Sequence, residues 1–195
     1  ALAIELFTEG SLNTFAKPTN VDTNSRILCY DIRDLGKQLL PVGMLVVLDS
    51  VFNRIIRNRR LGRSTWVYID EIYLLFQHEY SANFLFTLWK RVRKYGACCT
   101  GLTQNVDDLL QSHTARTMLA NSEFLVMLNQ ASTDRAELAR LLNISDNQLS
   151  YITNVDFGRG LIKCGSAIVP FMDHFPKNNL YRLMSTKPSE ADTAV

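Results

Sequence analysis

The chain has 195 residues, of which 47% are hydrophobic and 21% are charged, and its formal net charge is +2. This composition is typical of a globular protein with a buried core, and it excludes a collagen-like or intrinsically disordered chain. A net charge so close to zero gives no general argument for binding to nucleic acid or to an anionic membrane. Any inference about charged binding partners must therefore rest on local clusters of charge.

The first residues, ALAIELFTEG, lack the basic start and the long apolar stretch of a signal peptide. We expect a chain that begins as a cut fragment of a longer protein. The longest apolar run, residues 39–52, is interrupted by Asp49 and is shorter than the ~20 residues that span a bilayer. The sequence therefore predicts no transmembrane helix.

The four cysteines have neither C-x-x-C spacing nor histidine neighbours at the spacing of a metal site. They are Cys29, Cys98, Cys99 and Cys164. We expect buried free thiols in a reducing compartment, and no metal site built on the scattered histidines.

The first predicted elements are a strand, RILCYDI (26–32), and a helix that starts at Pro41 and ends near Arg60, before Gly62. TWVYIDEI (65–72) follows as a second strand. Its nearly continuous apolar character is typical of a strand covered on both faces of a parallel sheet.

An amphipathic helix with a cationic end, SANFLFTLWKRVRKYG (81–96), leads to a strand in ACCTGLTQN (97–105). After a short helical stretch, EFLVMLNQ (123–130) is the next strand. Two helices with capping signatures follow, Asp134 with Glu137 and Ser145 with Gln148, and then a hairpin with a Gly165-Ser166 turn.

This alternation of strands and helices predicts an α/β fold with an open, mostly parallel sheet flanked by helices and a C-terminal β-hairpin. Ligands of such sheets bind outside the carboxyl ends of the strands. The polar residues predicted at those ends are Asp70, Glu71, Thr103, Gln104 and Asn129.

Asp70 and Glu71 follow a run of strand-forming residues, which is the Walker B pattern of P-loop ATPases. In that pattern the first carboxylate helps to hold Mg²⁺, together with a P-loop hydroxyl or through water, and the second polarises the water that attacks the γ-phosphate of ATP. The alternative is a solvated strand end, or acids in the first turn of a following helix.

Gln104 ends the next predicted strand, where its amide could sense the γ-phosphate or orient water. A polar residue also ends a strand simply because solvent begins there. The neighbouring acid pair favours the first interpretation.

Arg93, at the cationic end of the predicted helix 81–96, is our first candidate for an arginine that reaches the phosphates, often from a neighbouring subunit. Arg91 and Arg159 are its rivals. Cations at a helix C-terminus also complement the helix dipole, which is the simpler account of any one of them.

A denser cluster of arginines follows the first predicted helix. It consists of Arg54, Arg57, Arg59, Arg60 and Arg63. The cluster could contact nucleic acid, an acidic partner or another subunit, or it could be a solvated helix end. No aromatic residues are interleaved with it for base stacking.

The order YIDEIYLLF, LWKRVRKYGACCTGLTQNVDDLL, NSEFLVMLNQASTDRAELARLLNIS and GRGLIKCGSAIVPF resembles the C-terminal motor domain of conjugative type IV secretion ATPases of the TraC-like class. More distantly, it resembles the FtsK and HerA motors. The resemblance extends from about Gly10 to Pro188.

The resemblance implies a RecA-like ATPase that uses ATP and Mg²⁺. In it Gln104 matches the glutamine motif, and Arg159 and Gly160 match a late arginine-glycine motif near the nucleotide. It also implies a homo-oligomer, often a hexamer, at the cytoplasmic face of the inner membrane. Its partners would be the secretion channel and coupling proteins.

The sequence departs from the family in one respect, because it contains no G-x-x-x-x-G-K-[ST] motif. We expect the P-loop and its strand to lie upstream, so that residues 1–188 form the C-terminal part of a motor domain and 189–195 a disordered tail. Two alternatives remain: a DNA-translocating motor of the FtsK or HerA kind, and a non-catalytic module that docks on the secretion channel.

Overall fold

A computed structural model describes residue 5 and residues 8–10, 13–104 and 106–185. The predicted tail, 189–195, lies outside the described residues. The chain divides into two compact units, Ala1–Leu102 and Thr103–Val195. In chain order the helices and strands are α1 (Gly36–Arg60), β1 (Thr65–Ile69), α2 (Glu79–Arg91), β2 (Ala97–Gly101), α3 (Val106–Leu110), α4 (His113–Ala120), β3 (Phe124–Met127), α5 (Ser132–Leu142), α6 (Asp146–Leu149), β4 (Arg159–Cys164), β5 (Ala167–Met172) and α7 (Asn179–Met184).

Helix α1 ends at Arg60, as predicted, but it begins at Gly36 and so contains Pro41. Proline cannot donate a hydrogen bond to the carbonyl four residues earlier, which belongs to Lys37. Lys37 is exposed, so water can reach that carbonyl near the start of the helix. The chain leaves the helix through Gly62, whose φ of 68° suits glycine.

By length and composition α1 is long and apolar enough to cross a membrane, which the shorter apolar run in the sequence did not predict. Its most apolar 18-residue window has a mean hydropathy of 1.7, and 22% of that window is buried inside the chain. Core helices of soluble proteins, which are mostly buried, meet the same criterion. The buried side chains of α1 include Met44, Leu48 and Ile55, and Ile55 packs against α2.

In the first unit, β1 and β2 are parallel, with Thr65 opposite Ala97 and Ile69 opposite Gly101. The α/β class and this parallel pairing were predicted. Helix α2 connects the two strands, and Leu88 and Val92 from this connection pack with Ile55 and Ala97 in a buried cluster.

Among the described residues, only one face of β1 is covered, whereas the sequence predicted cover on both. Trp66 and Tyr68 are 65% and 67% exposed, whereas the alternate residues Thr65, Val67 and Ile69 are half-buried. An apolar composition indicates that a strand is suited to burial on both faces. It does not indicate whether another layer of the protein packs on each face.

Residues 26–32 form no strand, so the prediction of a strand there is wrong. The hydroxyl groups of Tyr30 and Ser50 share a hydrogen bond of 2.9 Å, which ties this segment to α1. Strand-forming residues need a neighbouring strand for their backbone hydrogen bonds, and here the segment runs beside a helix instead.

The second unit contains an antiparallel sheet in the order β3-β4-β5. The predicted hairpin is confirmed, because Cys164 pairs with Ala167 across the two-residue turn. β3 pairs with β4 in the antiparallel sense, which differs from the parallel arrangement expected from the alternation of elements. The buried cluster of this unit includes Leu110, Met127 and Leu161.

Of the two predicted helix caps, one is confirmed. Ser145 and Gln148 form a capping box at the start of α6. The cap predicted at Asp134 is wrong: α5 begins earlier, at Ser132, with Ala131 as its N-cap residue. Glu137, the expected partner in that cap, instead forms an ion pair with Arg116.

The cysteines are free, as predicted, but the expectation that they are buried is wrong for three of them. Cys29, Cys98 and Cys164 are exposed. Cys98 and Cys164 lie on strands whose outward positions are not covered, which the residue types alone did not reveal. Cys99 is half-buried, and burial, with a smaller effect of the neighbouring Cys98, raises the pKa of its thiol to about 12.

Candidate nucleotide site at the end of strand β1

The predicted acid pair lies in a turn directly after β1. The backbone pairing with the β2 strand continues on both sides of this turn: Leu102 N–H donates to the Ile69 carbonyl at 2.8 Å, and Ile72 N–H donates to the Leu102 carbonyl at 2.9 Å. Asp70 and Glu71 therefore project from the carboxyl end of the strand, with both sides of the turn fixed by hydrogen bonds.

Glu71 has a left-handed backbone, with φ 47° and ψ 49°. This conformation is costly for a residue with a Cβ and is enriched at functional sites. One carboxylate oxygen, Oε2, is buried and has no hydrogen-bond partner in the described structure. A buried carboxylate oxygen without a donor is itself unfavourable, so the folded chain holds Glu71 ready for a donor that it does not supply.

Asp70 is exposed, and its Oδ1 accepts a hydrogen bond of 3.0 Å from Glu71 N–H. This bond orients the carboxylate and leaves Oδ2 to face a ligand. No group of three or more possible metal ligands exists among the described residues. Asp70 thus fits Mg²⁺ only as one ligand or through water, the mode in which phosphates and waters complete the coordination.

Gly101 supports this turn from the neighbouring strand. A Cβ on Gly101 would lie 2.5 Å from Ile72 Cδ1 and 3.2 Å from Ile72 Cγ2. Ile72 is buried and directly follows Glu71. The absence of a side chain at Gly101 therefore allows the turn to pack closely on β2.

Gln104, Arg159 and Gly160, which were also predicted for the nucleotide site, lie in the second unit. Gln104 is exposed and follows the end of β2 by three residues. Arg159 and Gly160 begin β4, next to the end of β3, and a Cβ on Gly160 would be 2.2 Å from the Met127 carbonyl oxygen. Asn129 Oδ1 accepts a hydrogen bond of 3.4 Å from Val155 N–H in the loop before β4.

Arg93 lies at the opposite edge of the first unit from the acid pair. It is exposed in the 3-10 helix Val92–Tyr95, just before β2 starts, whereas Asp70 and Glu71 follow the end of β1. Five strand residues at ~3.3 Å each separate the two edges by roughly 15 Å. The structure therefore does not bring Arg93 to the acid pair of its own chain.

A comparison with known protein families shows which family this chain belongs to. The family model described as "TraG P-loop domain" matches residues 17–159. The chain belongs to the TraG P-loop domain family. No curated protein is similar enough to the chain to count as a match.

Among solved structures, this TraG P-loop domain is similar to VirB4 of Thermoanaerobacter pseudethanolicus, with a TM-score of 0.78 and 25% sequence identity. The match covers 92% of this chain and 50% of the VirB4 chain, so the chain spans about half the length of that relative. The resemblance to type IV secretion ATPases predicted from the sequence is thereby confirmed.

Two arginines of the cluster in this TraG P-loop domain have structural partners. Arg54 Nη2 donates to the Ser25 carbonyl at 3.0 Å, and the same guanidinium also donates to the Thr23 carbonyl. Arg57 Nη1 donates to Asn24 Oδ1 at 3.3 Å. These bonds hold the segment before residue 26 against α1, which leaves Arg59, Arg60 and Arg63 for other contacts.

Two features of the site were not predicted from the sequence. The left-handed backbone of Glu71 leaves no signal in the residue type, because glutamate rarely adopts it. Gly101 did carry a signal, since a glycine inside a strand pattern often marks a close approach of another group.

Proposed function

We propose that the chain is the part of a type IV secretion ATPase that contributes the Walker B carboxylates, with Glu71 as the residue that polarises the attacking water. The observation that supports this most directly is Glu71 itself. Its strained backbone and unpartnered carboxylate oxygen lie next to Asp70 at the carboxyl end of a parallel strand.

In this proposal each residue has a distinct task. Mg²⁺, bound together with ATP, supplies charge neutralisation for the phosphates. Asp70 would hold the ion, directly or through water, and Glu71 would accept a hydrogen bond from the attacking water through Oε2. Gln104 orients that water or senses the γ-phosphate, and Arg159 and Gly160 lie near the nucleotide.

Arg93 acts across a subunit interface in this proposal. Its position at the opposite edge from Glu71 supports a role toward the nucleotide of a neighbouring copy, because roughly 15 Å of strand separates it from the acid pair of its own chain. The assembly would be a homo-oligomer, such as a hexamer, at the cytoplasmic face of the inner membrane. There it would power transfer of DNA or protein through the secretion channel and its coupling proteins.

The alternatives have less support from the structure. A DNA-translocating motor would use the arginine cluster on the duplex, yet Arg54 and Arg57 are engaged with residues 23–25. A docking module without catalysis gives no reason for a glutamate in the left-handed conformation. Steep salt dependence of duplex DNA binding would favour the first alternative.

The test is Glu71→Gln in a protein that carries this chain together with a P-loop. Loss of a positioned base lowers the rate by ~10²- to 10⁴-fold, while ATP binding should be retained. Glu79→Gln is the matched control, since Glu79 is an exposed glutamate at the start of α2 in the same unit. Unchanged hydrolysis in Glu71→Gln would contradict the proposal.

A further inference from the structure

An open pocket lies at the C-terminal end of α1. Its volume is about 490 Å³, within the size range of ligand pockets. It is lined by Asn53, Ile56, Arg57, Arg60 and Leu61. Arg57 Nη1 already donates to Asn24 Oδ1, so Arg60 carries the guanidinium that is available to an anion. Together with the apolar side chains of Ile56 and Leu61, it suits an apolar ligand group that carries a negative charge.

The charge of this region is not balanced locally. Between Asp49 and Asp70 the sequence contains five arginines and no acidic residue. Within the described chain, no carboxylate forms an ion pair with Arg57 or Arg60. An adjacent smaller pocket of about 230 Å³ shares Arg57 and Leu61 with the first.

A protrusion with the complementary character lies on the second unit, in the loop before β4. Phe157 is 102% exposed. Asp156, beside it, has a side chain that is 83% exposed. Asp173 adds an exposed carboxylate at the base of the loop, and Arg159 lies 3.6 Å from Asp156. The protrusion thus carries two carboxylates, one guanidinium and an aromatic ring.

The backbone of this loop is held in place rather than loose. Asn154 and Gly158 have φ values of 51° and 79°. Asp173 N–H donates to the Gly158 carbonyl at 2.7 Å, and a Cβ on Gly158 would lie 2.1 Å from the Asp173 carbonyl oxygen. A loop already fixed in one conformation loses little entropy when it binds, which favours a docking role.

We propose that Asp156 and Phe157 of one copy dock into the Arg57–Arg60 pocket of a second copy of this chain. The phenyl ring packs on Ile56 and Leu61 with a guanidinium against its face. Asp156 pairs with Arg60, which has no ion-pair partner in the described part of its own chain. Pocket and protrusion are different surfaces, so the contact is heterologous and can repeat from copy to copy.

A second copy fits this pocket better than nucleic acid does. Single-stranded nucleic acid is bound by aromatic stacking platforms, and the pocket has no aromatic lining residue. Contacts between the arginines and phosphates would also leave the apolar side chains of Ile56 and Leu61 without a packing partner.

This inference names the interface of the homo-oligomer in the proposed function. Arg59 lies at the same edge of the first unit as Gly96, 3.5 Å from the position of a Cβ there, and Arg93 is three residues before Gly96. Arg159 follows Phe157 by two residues. Docking therefore brings the edge that carries Arg93 toward the neighbour's arginine-glycine motif.

The test is sedimentation equilibrium of the chain from about 10 to 500 μM, a range that covers weak self-association. The chain should associate, and Asp156→Arg and Arg60→Asp should each weaken association at least ~10-fold by placing like charges together. The double variant, in which the two charges are exchanged, should recover most of the affinity. Phe157→Ser should also weaken the self-association of the chain.

Tyr80→Ser is the matched control for Phe157→Ser, because Tyr80 is also an exposed aromatic residue, at 65%, and it lines neither pocket. A monomeric wild-type chain, or association that none of these variants changes, would overturn the interface. The interface would also be overturned if the double variant associated as weakly as the two single variants. These results are independent of ATP hydrolysis, so they are distinguishable from failure of the Glu71→Gln test.

Discussion

Glu71 combines two features that raise the free energy of the folded chain. A left-handed backbone costs ~1–2 kcal/mol for a residue with a Cβ. A buried polar group without a partner costs ~1–3 kcal/mol more. Nothing in the packing of the described residues requires a glutamate here, so its presence is understandable as a functional constraint that the rest of the fold offsets.

Glu71→Gly should therefore stabilise the chain. Glycine adopts the left-handed conformation without strain and removes the buried carboxylate, although it also loses ~0.5–1 kcal/mol of backbone entropy. We expect the free energy of unfolding to rise by about 1 kcal/mol, measured by urea denaturation. Glu79→Gly, in the first turn of α2, should instead destabilise, and destabilisation by Glu71→Gly would contradict this account.

Cys99 should differ from the other cysteines in reactivity. Its thiol pKa is raised to about 12 by burial, with a smaller effect of Cys98. Only the thiolate is nucleophilic, so iodoacetamide at pH 8.5 should alkylate exposed Cys29, Cys98 and Cys164 well before Cys99. Peptide mass spectrometry over time measures the four rates, and equal rates would contradict the burial of Cys99.

The same pKa has a consequence for stability with a defined sign. Above pH 9 the unfolded chain releases the Cys99 proton while the folded chain retains it until about pH 12. The folded state then binds more protons, so this group lowers stability as pH rises between those values. Cys99→Ala should reduce that part of the pH dependence in the unfolding curves.

At the level of elements, β3 and β4 approach each other closely at Gly160. A Cβ there would lie 2.2 Å from the Met127 carbonyl oxygen and 2.8 Å from Phe171 Cε1. The backbone oxygen cannot move without breaking the β3–β4 ladder. Gly160 therefore has a structural role in the sheet, besides its proposed place near the nucleotide.

Gly160→Ala should destabilise the chain by ~3 kcal/mol, because overpacking of this kind costs ~1–3 kcal/mol and here displaces backbone. Gly62→Ala is the control: its φ of 68° is strained for alanine, but nothing lies within 4 Å of the new Cβ, so ~1 kcal/mol is expected. Thermal melts followed by circular dichroism should separate the two. A smaller loss in Gly160→Ala than in Gly62→Ala would contradict this packing.

Most of the correct predictions depend on local signals, although the local signal for a cap at Asp134 was misleading. The hairpin turn at Gly165-Ser166, the capping box at Ser145 and the end of α1 before Gly62 all depend on a few adjacent residues. The predictions of a strand at residues 26–32 and of cover on both faces of β1 were wrong, because both depend on which other element packs nearby. The acid pair was found from its pattern, whereas its strained geometry was not.

For the molecule as a whole, the chain matches half of its structural relative and contains one pair of proposed catalytic carboxylates. The family name refers to a P-loop, yet the 195 residues contain no G-x-x-x-x-G-K-[ST] motif. In P-loop proteins the backbone amides and lysine of that motif provide much of the phosphate cradle. Carboxylates alone repel a nucleotide unless a metal ion lies between them.

The isolated 195-residue chain should accordingly bind ATP with a Kd of about 1 mM or weaker, corresponding to ~4 kcal/mol or less. Isothermal titration calorimetry with ATP and Mg²⁺ measures this directly, and phosphate release should stay at the level of a blank without protein. Asp70→Asn should leave this weak binding almost unchanged, since one water-mediated ligand contributes little without the cradle. Micromolar binding or steady turnover would show that the chain forms a phosphate site from other residues.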